Sequence, residues 1–261
     1  MPEGHLIHRA ADDHQLLVGH RVNVRSPDGR FTFGAEDLDG HRVRSVEAWG
    51  KHLLYQFDRR WLHIHLGLEG RIRRAGSHRP GRKARVSLTA EQIEAGFQIV
   101  NPLRCELMSS FERRDLIHRL GPDPLRPDAD PERAWNLLQK SSASLGEFML
   151  DQRCIAGVGN IYRTEILFLL RIHPRREARS LSRKEFDSLW TLTRELLEIG
   201  RTHNQIITAD PRQMGKPREQ MRRSESLLVY RRRECPVCGA LLDVQRIAHR
   251  PMWFCERCQR K

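Results

Sequence analysis

Apolar positions recur at a helical spacing at the start of the chain and again beyond residue 111, and between these stretches they alternate with a period of two. Leu6, Ile7, Ala10 and Leu17, with His14 in the same stripe, predict an amphipathic helix over 3–17 that Gly19 stops. From 21 to 108 the alternation predicts strands at Val22 and Val24, at Val43, over 53–57, 61–66 and 71–73, at Val86 and Leu88, and over 105–108. Pro27-Asp28-Gly29, Asp39-Gly40 and Gly76 supply turns between them. Short alternating strands with regular turn signals predict a β-sandwich or barrel.

Past Phe111 the pattern predicts helices over 112–120, 131–139 with Pro131 in the first turn, and 145–150. Gly121-Pro122-Asp123-Pro124 and Pro127 mark 121–130 as a hinge between domains. Gly157-Val158-Gly159-Asn160 makes a tight double-glycine turn, after which Ile161, Tyr162, Glu165, Ile166, Leu169 and Leu170 resume a helix over 161–172. Glycines at a helix start expose backbone amides, and these together with the Asn160 side chain suit a phosphate oxygen. Ser182 and Glu185 form a capping box for a helix with a broad apolar face, ending at Gly200. Residues 201–225 are basic, rich in turn formers and without period, which predicts a mobile loop. The domains expected are 1–120, a hinge at 121–130, 131–226 and 227–261.

Composition narrows the class of partner. The chain has 261 residues, 39% hydrophobic and 30% charged, with no apolar run long enough to span a membrane, so a soluble fold with two or three small cores is expected. Lys and Arg number 46 against 33 Asp and Glu, a net charge of +13, which favours a polyanion through phosphate contacts and counterion release. Charged residues interrupt the amino-terminal pattern too early for a signal peptide, and a cytosolic, reducing location is expected. There, paired cysteines read as metal ligands rather than disulfides. Cys235-Pro-Val-Cys238 and Cys255-Glu-Arg-Cys258, sixteen residues apart, have the spacing of a four-thiolate zinc site, which is structural because all four positions are filled. Arg246, His249 and Arg250 lie between the pairs, beside Trp253 and Phe254, as on a β-hairpin that presents Arg to phosphate. Cys105 and Cys154 have no partner spacing and read as buried hydrophobes.

Candidate chemistry concentrates at the amino terminus. If the initiator Met is removed, Met1-Pro2-Glu3-Gly4 leaves a free prolyl amine, and chain-terminal amines titrate near neutrality. Such an amine can attack a carbonyl-like carbon and form a Schiff base, with Glu3 placed to protonate a leaving group or an opening sugar ring. Lys51 follows Trp49-Gly50 at the start of a strand, where a turn can aim its ammonium into a groove.

Four separated stretches together resemble the formamidopyrimidine-DNA glycosylase and endonuclease VIII family across essentially the whole chain. They are Met1-Pro2-Glu3-Gly4, Trp49-Gly50-Lys51-His52-Leu53-Leu54, Leu150-Asp151-Gln152-Arg153 through Gly157-Val158-Gly159-Asn160-Ile161-Tyr162-Arg163, and His249-Arg250 through Phe254-Cys255 to Cys258-Gln259. The resemblance implies an α+β multidomain chain: a catalytic β-sandwich with an N-terminal helix, a helix-two-turn-helix DNA-binding domain and a C-terminal zinc finger, with damaged DNA lying between the domains. It implies a DNA glycosylase and AP lyase of base excision repair, acting as a monomer in the bacterial cytosol. In that scheme Pro2 attacks C1′ of a flipped, oxidised nucleotide, and Glu3 assists base loss and ring opening. Lys51 holds a phosphate and assists strand cleavage, Asn160 and Arg250 grip the DNA backbone, and Arg250 also serves the second elimination. Flipping is required because C1′ is inaccessible within the stack. A non-catalytic zinc-finger DNA-binding protein fits the charge and the cysteines, but leaves Pro2, Glu3 and Lys51 unexplained.

Two departures from the formamidopyrimidine branch bear on substrate. Ser144-Leu145-Gly146-Glu147 stands where that branch usually has a lysine, and Leu103-Arg104-Cys105 where it has an Arg-Arg-Phe loop. Leu68 remains to wedge into the gap left by a flipped nucleotide. A thin plug without an arginine for the orphaned base implies an endonuclease VIII-like preference for oxidised pyrimidines and abasic sites, weak discrimination of the opposite base, and tolerance of bubble or single-stranded DNA. The alternative within the family is an enzyme specific for 8-oxoguanine and formamidopyrimidine.

Overall fold

The computed structural model describes residues 2–75 and 81–260, so Met1 and the turn expected at Gly76 lie outside them. The chain divides into two compact units, 1–119 and 120–261.

The first unit opens with α1 (Gly4–Asp13), whose apolar stripe buries Ile7, Ala10 and Ala11, and a 3-10 turn over His14–Leu17 then carries Leu17 into the core. The strands are β1 (Asn23–Arg25), β2 (Val43–Trp49), β3 (His52–Phe57), β4 (Arg60–His65), β5 (Arg71–Ala75), β6 (Ala84–Ala90), β7 (Ala95–Val100) and β8 (Arg104–Ser109). They form two four-stranded antiparallel sheets, ordered β2-β3-β4-β8 and β1-β6-β7-β5, the sandwich that the alternation predicted. Val24, Leu53, Tyr55, Leu62, Ile64, Val86, Leu88, Phe97 and Ile99 fill one core, each full burial worth about 1.5–3 kcal/mol.

Two elements escaped the pattern. One is a short helix, α2 (Thr32–Leu38), which turns only Ala35 and Leu38 inward and leaves Phe33 at 90% exposure, so its period is hidden. The other is β7, paired on both sides and burying Phe97 and Ile99; it follows a left-handed residue, Glu94 at φ 50°, in a polar stretch that masks the strand start. The unit ends with α3 (Ser110–Arg119), where the Arg113 guanidinium lies 4.4 Å from the Trp61 ring centroid.

The second unit contains α4 (Pro131–Gln139), α5 (Leu145–Phe148), α6 (Asn160–Leu169), α7 (Arg183–His203) and α8 (Pro211–Met214), then the hairpin β9 (Asp243–Ile247) and β10 (Arg250–Phe254). Asp130 caps α4 through Glu132 N, and capping boxes start α5 at Ser144–Glu147 and α7 at Ser182–Glu185. Leu138, Leu145, Phe148, Tyr162, Ile166, Phe186, Leu189 and Leu197 share their core with Ile247 and Met252 of the hairpin, so the carboxy-terminal segment packs on the helices.

At the start of this unit Gly121 N donates to Gln152 O at 2.8 Å, and Pro122 O accepts from Ala156 N at 3.0 Å. Two expectations for this unit need correction. Helix α7 runs through the buried Gly200 and stops at Asn204, whose φ of 52° is the left-handed stop that Asn tolerates. Residues 201–225 carry α8 and a small core of Ile207, Ala209 and Met221, because apolar residues spaced irregularly in a basic stretch still meet in three dimensions.

Candidate active site

Pro2 is half-buried just ahead of α1, and Glu3, the N-cap residue, is fully buried. The direction of α1 shows where this end of the helix lies. Gln15 Nε2 donates to Val46 O at 2.7 Å and Val18 bridges Val43, so rising residue number in the helix matches falling number in β2. Stepping back from Gln15 to Glu3 covers about 18 Å at about 1.5 Å per helical residue. That distance spans about five strand residues at about 3.3 Å each, which places Glu3 at the Gly50-Lys51 end of the sheet. Trp49 pairs with His52, leaving Gly50-Lys51 as a two-residue turn in which Gly50 takes φ 57°, the positive angle wanted at the first position of a type II′ hairpin. Lys51 is half-buried there.

His65 ends β4 beside this turn, paired with His52, and its Nδ1 accepts from Gly67 N at 3.2 Å. Gly67 has φ 65°, and a Cβ there would lie 2.7 Å from the Leu103 Cβ; a Cβ on Gly70 would lie 2.4 Å from Leu66 O. These close approaches hold a tight loop that leaves Leu68 at 53% exposure, with Leu103 at 69% beside it. The apolar tip is therefore broader than Leu68 alone. Cys105 is half-buried against the core, its thiol pushed up to about 12 by burial, and Cys154, also half-buried, is pushed up to about 11. Neither belongs to the four-thiol cluster.

In the second unit the structure brings Asn160 and the Arg250 strand together. Asn160 is buried; its Nδ2 donates to Pro251 O at 2.8 Å, and its Oδ1 accepts from Arg163 Nε at 3.0 Å and Nη2 at 2.7 Å. The fully buried Arg163 also donates to Gly146 O and Ile247 O. This amide thus ties α6 to the hairpin. At the hairpin tip Ala248 and His249 take φ 49° and 59°, the paired left-handed angles of a type I′ turn made without glycine. Arg250 follows directly, half-buried, its side chain without hydrogen bond or ion pair among the described residues.

The thiols of Cys235, Cys238, Cys255 and Cys258 all lie within 4.8 Å of one another, with Sγ–Sγ separations of 3.8 and 3.5 Å. A tetrahedral ion with bonds of about 2.3 Å requires edges of about 3.8 Å, so the donor set fits one such ion. Gly239, at φ 71°, closes the first knuckle, with Gly239 N donating to Cys235 O.

Sequence reading missed two clusters. Glu165, read only as part of a helical period, is fully buried and accepts from Thr208 Oγ1 and from the backbone amides of Leu228, Val229 and Tyr230, fastening the 206–230 segment to α6. His52, His63 and His65 stand on neighbouring strands; the alternating His63-Ile64-His65 was a signal that two imidazoles share one sheet face.

Comparison with known proteins agrees with this architecture. Residues 1–100 match the formamidopyrimidine-DNA glycosylase N-terminal domain, and residues 120–210 match the formamidopyrimidine-DNA glycosylase H2TH domain. Endonuclease 8 1 of Mycobacterium tuberculosis is 38% identical over 268 residues, covering 99% of this chain and 100% of that protein. Formamidopyrimidine-DNA glycosylase of Stutzerimonas stutzeri is 33% identical over 277 residues, covering 100% and 99%. Among solved structures, Lactococcus lactis Fpg in complex with N7-benzyl-Fapy-dG-containing DNA superimposes with a TM-score of 0.80 at 24% identity over 100% of both chains.

Proposed function

Because the chain belongs to the formamidopyrimidine-DNA glycosylase and endonuclease VIII family, on its endonuclease VIII branch, we propose that it excises oxidised pyrimidines through a Schiff base on Pro2. It is a DNA glycosylase with AP lyase activity, and damaged DNA is its partner. The observation that best supports the mechanism is the placement of Pro2 and the buried Glu3 at the same end of the sheet as the Lys51 turn.

The Pro2 nitrogen lone pair forms a bond to C1′ as the C1′–N bond to the damaged base breaks and the base leaves with a proton. Glu3, at the Pro2 end of α1, supplies a proton for base loss or for opening of the sugar ring. The iminium that follows acidifies C2′–H, and its loss expels the 3′ phosphate; a second elimination expels the 5′ phosphate. Lys51 and Arg250 hold phosphate oxygens, while Asn160 braces the strand that carries Arg250. Flipping costs a few kcal/mol of stacking, which the exposed Leu68 and Leu103 offset by filling the gap. Neither leucine offers a hydrogen bond to the orphaned base, so the opposite base is weakly discriminated and bubble or single-stranded DNA is accepted. Cleavage of thymine glycol is expected to exceed that of 8-oxoguanine opposite cytosine in duplex, with thymine glycol also cut in single strand. A clear margin for duplex 8-oxoguanine would overturn this substrate assignment and favour the purine-specific alternative.

The four cysteines hold a single structural zinc ion, which stabilises the segment bearing Arg250. Structural zinc contributes roughly 10–16 kcal/mol to isolated fingers. Cys255→Ser is therefore expected to lower bound zinc well below one equivalent and to weaken DNA binding at least tenfold. One tightly held equivalent with normal DNA affinity would count against it.

A further inference from the structure

Beside the Lys51 turn lies a hydrogen-bonded chain of three ionisable side chains that the reaction as described leaves without a role. In the β3-β4-β8 register His52 stands opposite His65, and His63 opposite Glu106, while residues two apart on a strand share a face. His63 Nδ1 lies 2.9 Å from Glu106 Oε1, His63 Nε2 lies 2.8 Å from His52 Nδ1, and the His52 and His63 rings stack at 5.0 Å and 24°.

The chain fixes its own protons. A carboxylate only accepts, so Nδ1 of His63 carries the hydrogen; in a neutral imidazole Nε2 is then an acceptor, and His52 must donate from Nδ1. The proton-free nitrogen of His52 is therefore Nε2. Burial pushes His52 down to about 2, reinforced by the neighbouring His63 and His65 and then by the charges of Lys51 and Arg104, and burial followed by His63, Lys51 and Arg104 pushes His65 down to about 4, so both rings stay neutral near pH 7. Lys51 directly precedes His52, in the turn that leads into the strand where His52 pairs with His65. A lysine ammonium has three N–H donors and a flexible stem, and one fixed acceptor beside it restricts where the other two can point.

We propose that Glu106, His63 and His52 form a proton-ordered relay whose end, Nε2 of His52, accepts one N–H of Lys51 and so positions the ammonium on the DNA phosphate during strand cleavage. All three are positioning residues, acting through Lys51. The proposal rests on the reading of Lys51 as the phosphate-holding lysine. A buried histidine pair with a purely structural role would instead affect every activity alike.

The test compares strand cleavage at a preformed abasic site with borohydride trapping, which captures the iminium before elimination. His52→Phe keeps a ring of similar size but no acceptor, and is expected to lower the cleavage rate about tenfold more than it lowers trapping, because only the orientation of Lys51 is lost. His52→Gln, whose side-chain oxygen reaches toward the place of Nε2, should recover cleavage to within about threefold. Cleavage by His52→Phe at the wild-type rate, equal losses of cleavage and trapping, or failure of Gln to rescue would each overturn the relay. Should His52→Phe not fold, Glu106→Ala at the exposed end of the chain releases the His63 tautomer, and the same selective loss is expected. Lys51→Ala, assayed in parallel, separates the two claims: normal cleavage there removes the role of Lys51 itself, whereas impaired cleavage beside an unaffected His52→Phe removes only the relay.

Discussion

An amino-terminal extension that leaves Pro2 inside a peptide bond is expected to abolish borohydride trapping and to reduce base excision and strand cleavage to background. Acylation converts the amine into an amide whose lone pair is delocalised, and no iminium can form on it. The effect should far exceed that of any substitution elsewhere in the chain, because a covalent route is removed rather than weakened. Pro2→Gly with a free terminus keeps a primary amine at the head of α1, so it should trap weakly but measurably. Glu3 is fully buried there, and Glu3→Gln should preserve trapping on a preformed abasic site, where no base has to leave, better than it preserves excision. Full activity with an intact extension would rule out Pro2 as nucleophile and move attention to Lys51. Trapping is insensitive to which lesion is preferred, so this result stands apart from the pyrimidine assignment.

The parts of this protein that were legible in its sequence are those where one residue type has one physical use. Period-two alternation located most strands of the sandwich, because each had to bury one face. Pro131, Ser182 and Glu185 announced helix starts that the structure reproduces, since capping is local chemistry. The two Cys-x-x-Cys pairs gave four thiols that do converge. Illegible were features whose meaning depends on distant partners. Glu165 reads as an ordinary helical glutamate until Leu228, Val229 and Tyr230 arrive to donate to it, and Arg163 until Ile247 does. Gly200 resembled a stop signal, yet a lone glycine costs a helix interior only about 1 kcal/mol, and the stop came at Asn204. The relay needed the register of three strands, which alternation cannot supply: His63 meets Glu106 only because β4 pairs with β8.

Mild acid is expected to unfold the sandwich. Burial pushes His5 and His14 down to about 3, from 6.5 in an exposed histidine. The reason is visible at His14: Nδ1 is bonded to the Tyr55 hydroxyl at 2.5 Å, the ring lies 3.5 Å from that of Phe97, and the buried Nε2 meets no hydrogen-bond partner among the described residues. A proton added there would bury both a charge and a bare N–H. With the folded values depressed, the unfolded chain binds protons that the folded chain refuses, so the stability these groups contribute is complete above about pH 6.5 and is lost as pH falls toward about 3. The slope approaches roughly 1.4 kcal/mol per pH unit for each histidine, and the two together cost roughly 5 kcal/mol between pH 6.5 and 4.5. That loss equals much of the 5–15 kcal/mol by which domains are typically stable. Urea unfolding at a series of pH values, compared between the wild type and His14→Gln, isolates the contribution, because acid effects on the zinc site and on surface carboxylates are common to both proteins and cancel in the difference. Removing one of the two depressed groups should make the variant's stability fall less steeply below pH 6, by about 1.4 kcal/mol per pH unit. Parallel curves for the two proteins would mean that His14 is already protonated in the fold, and would require an acceptor for Nε2 beside Phe97.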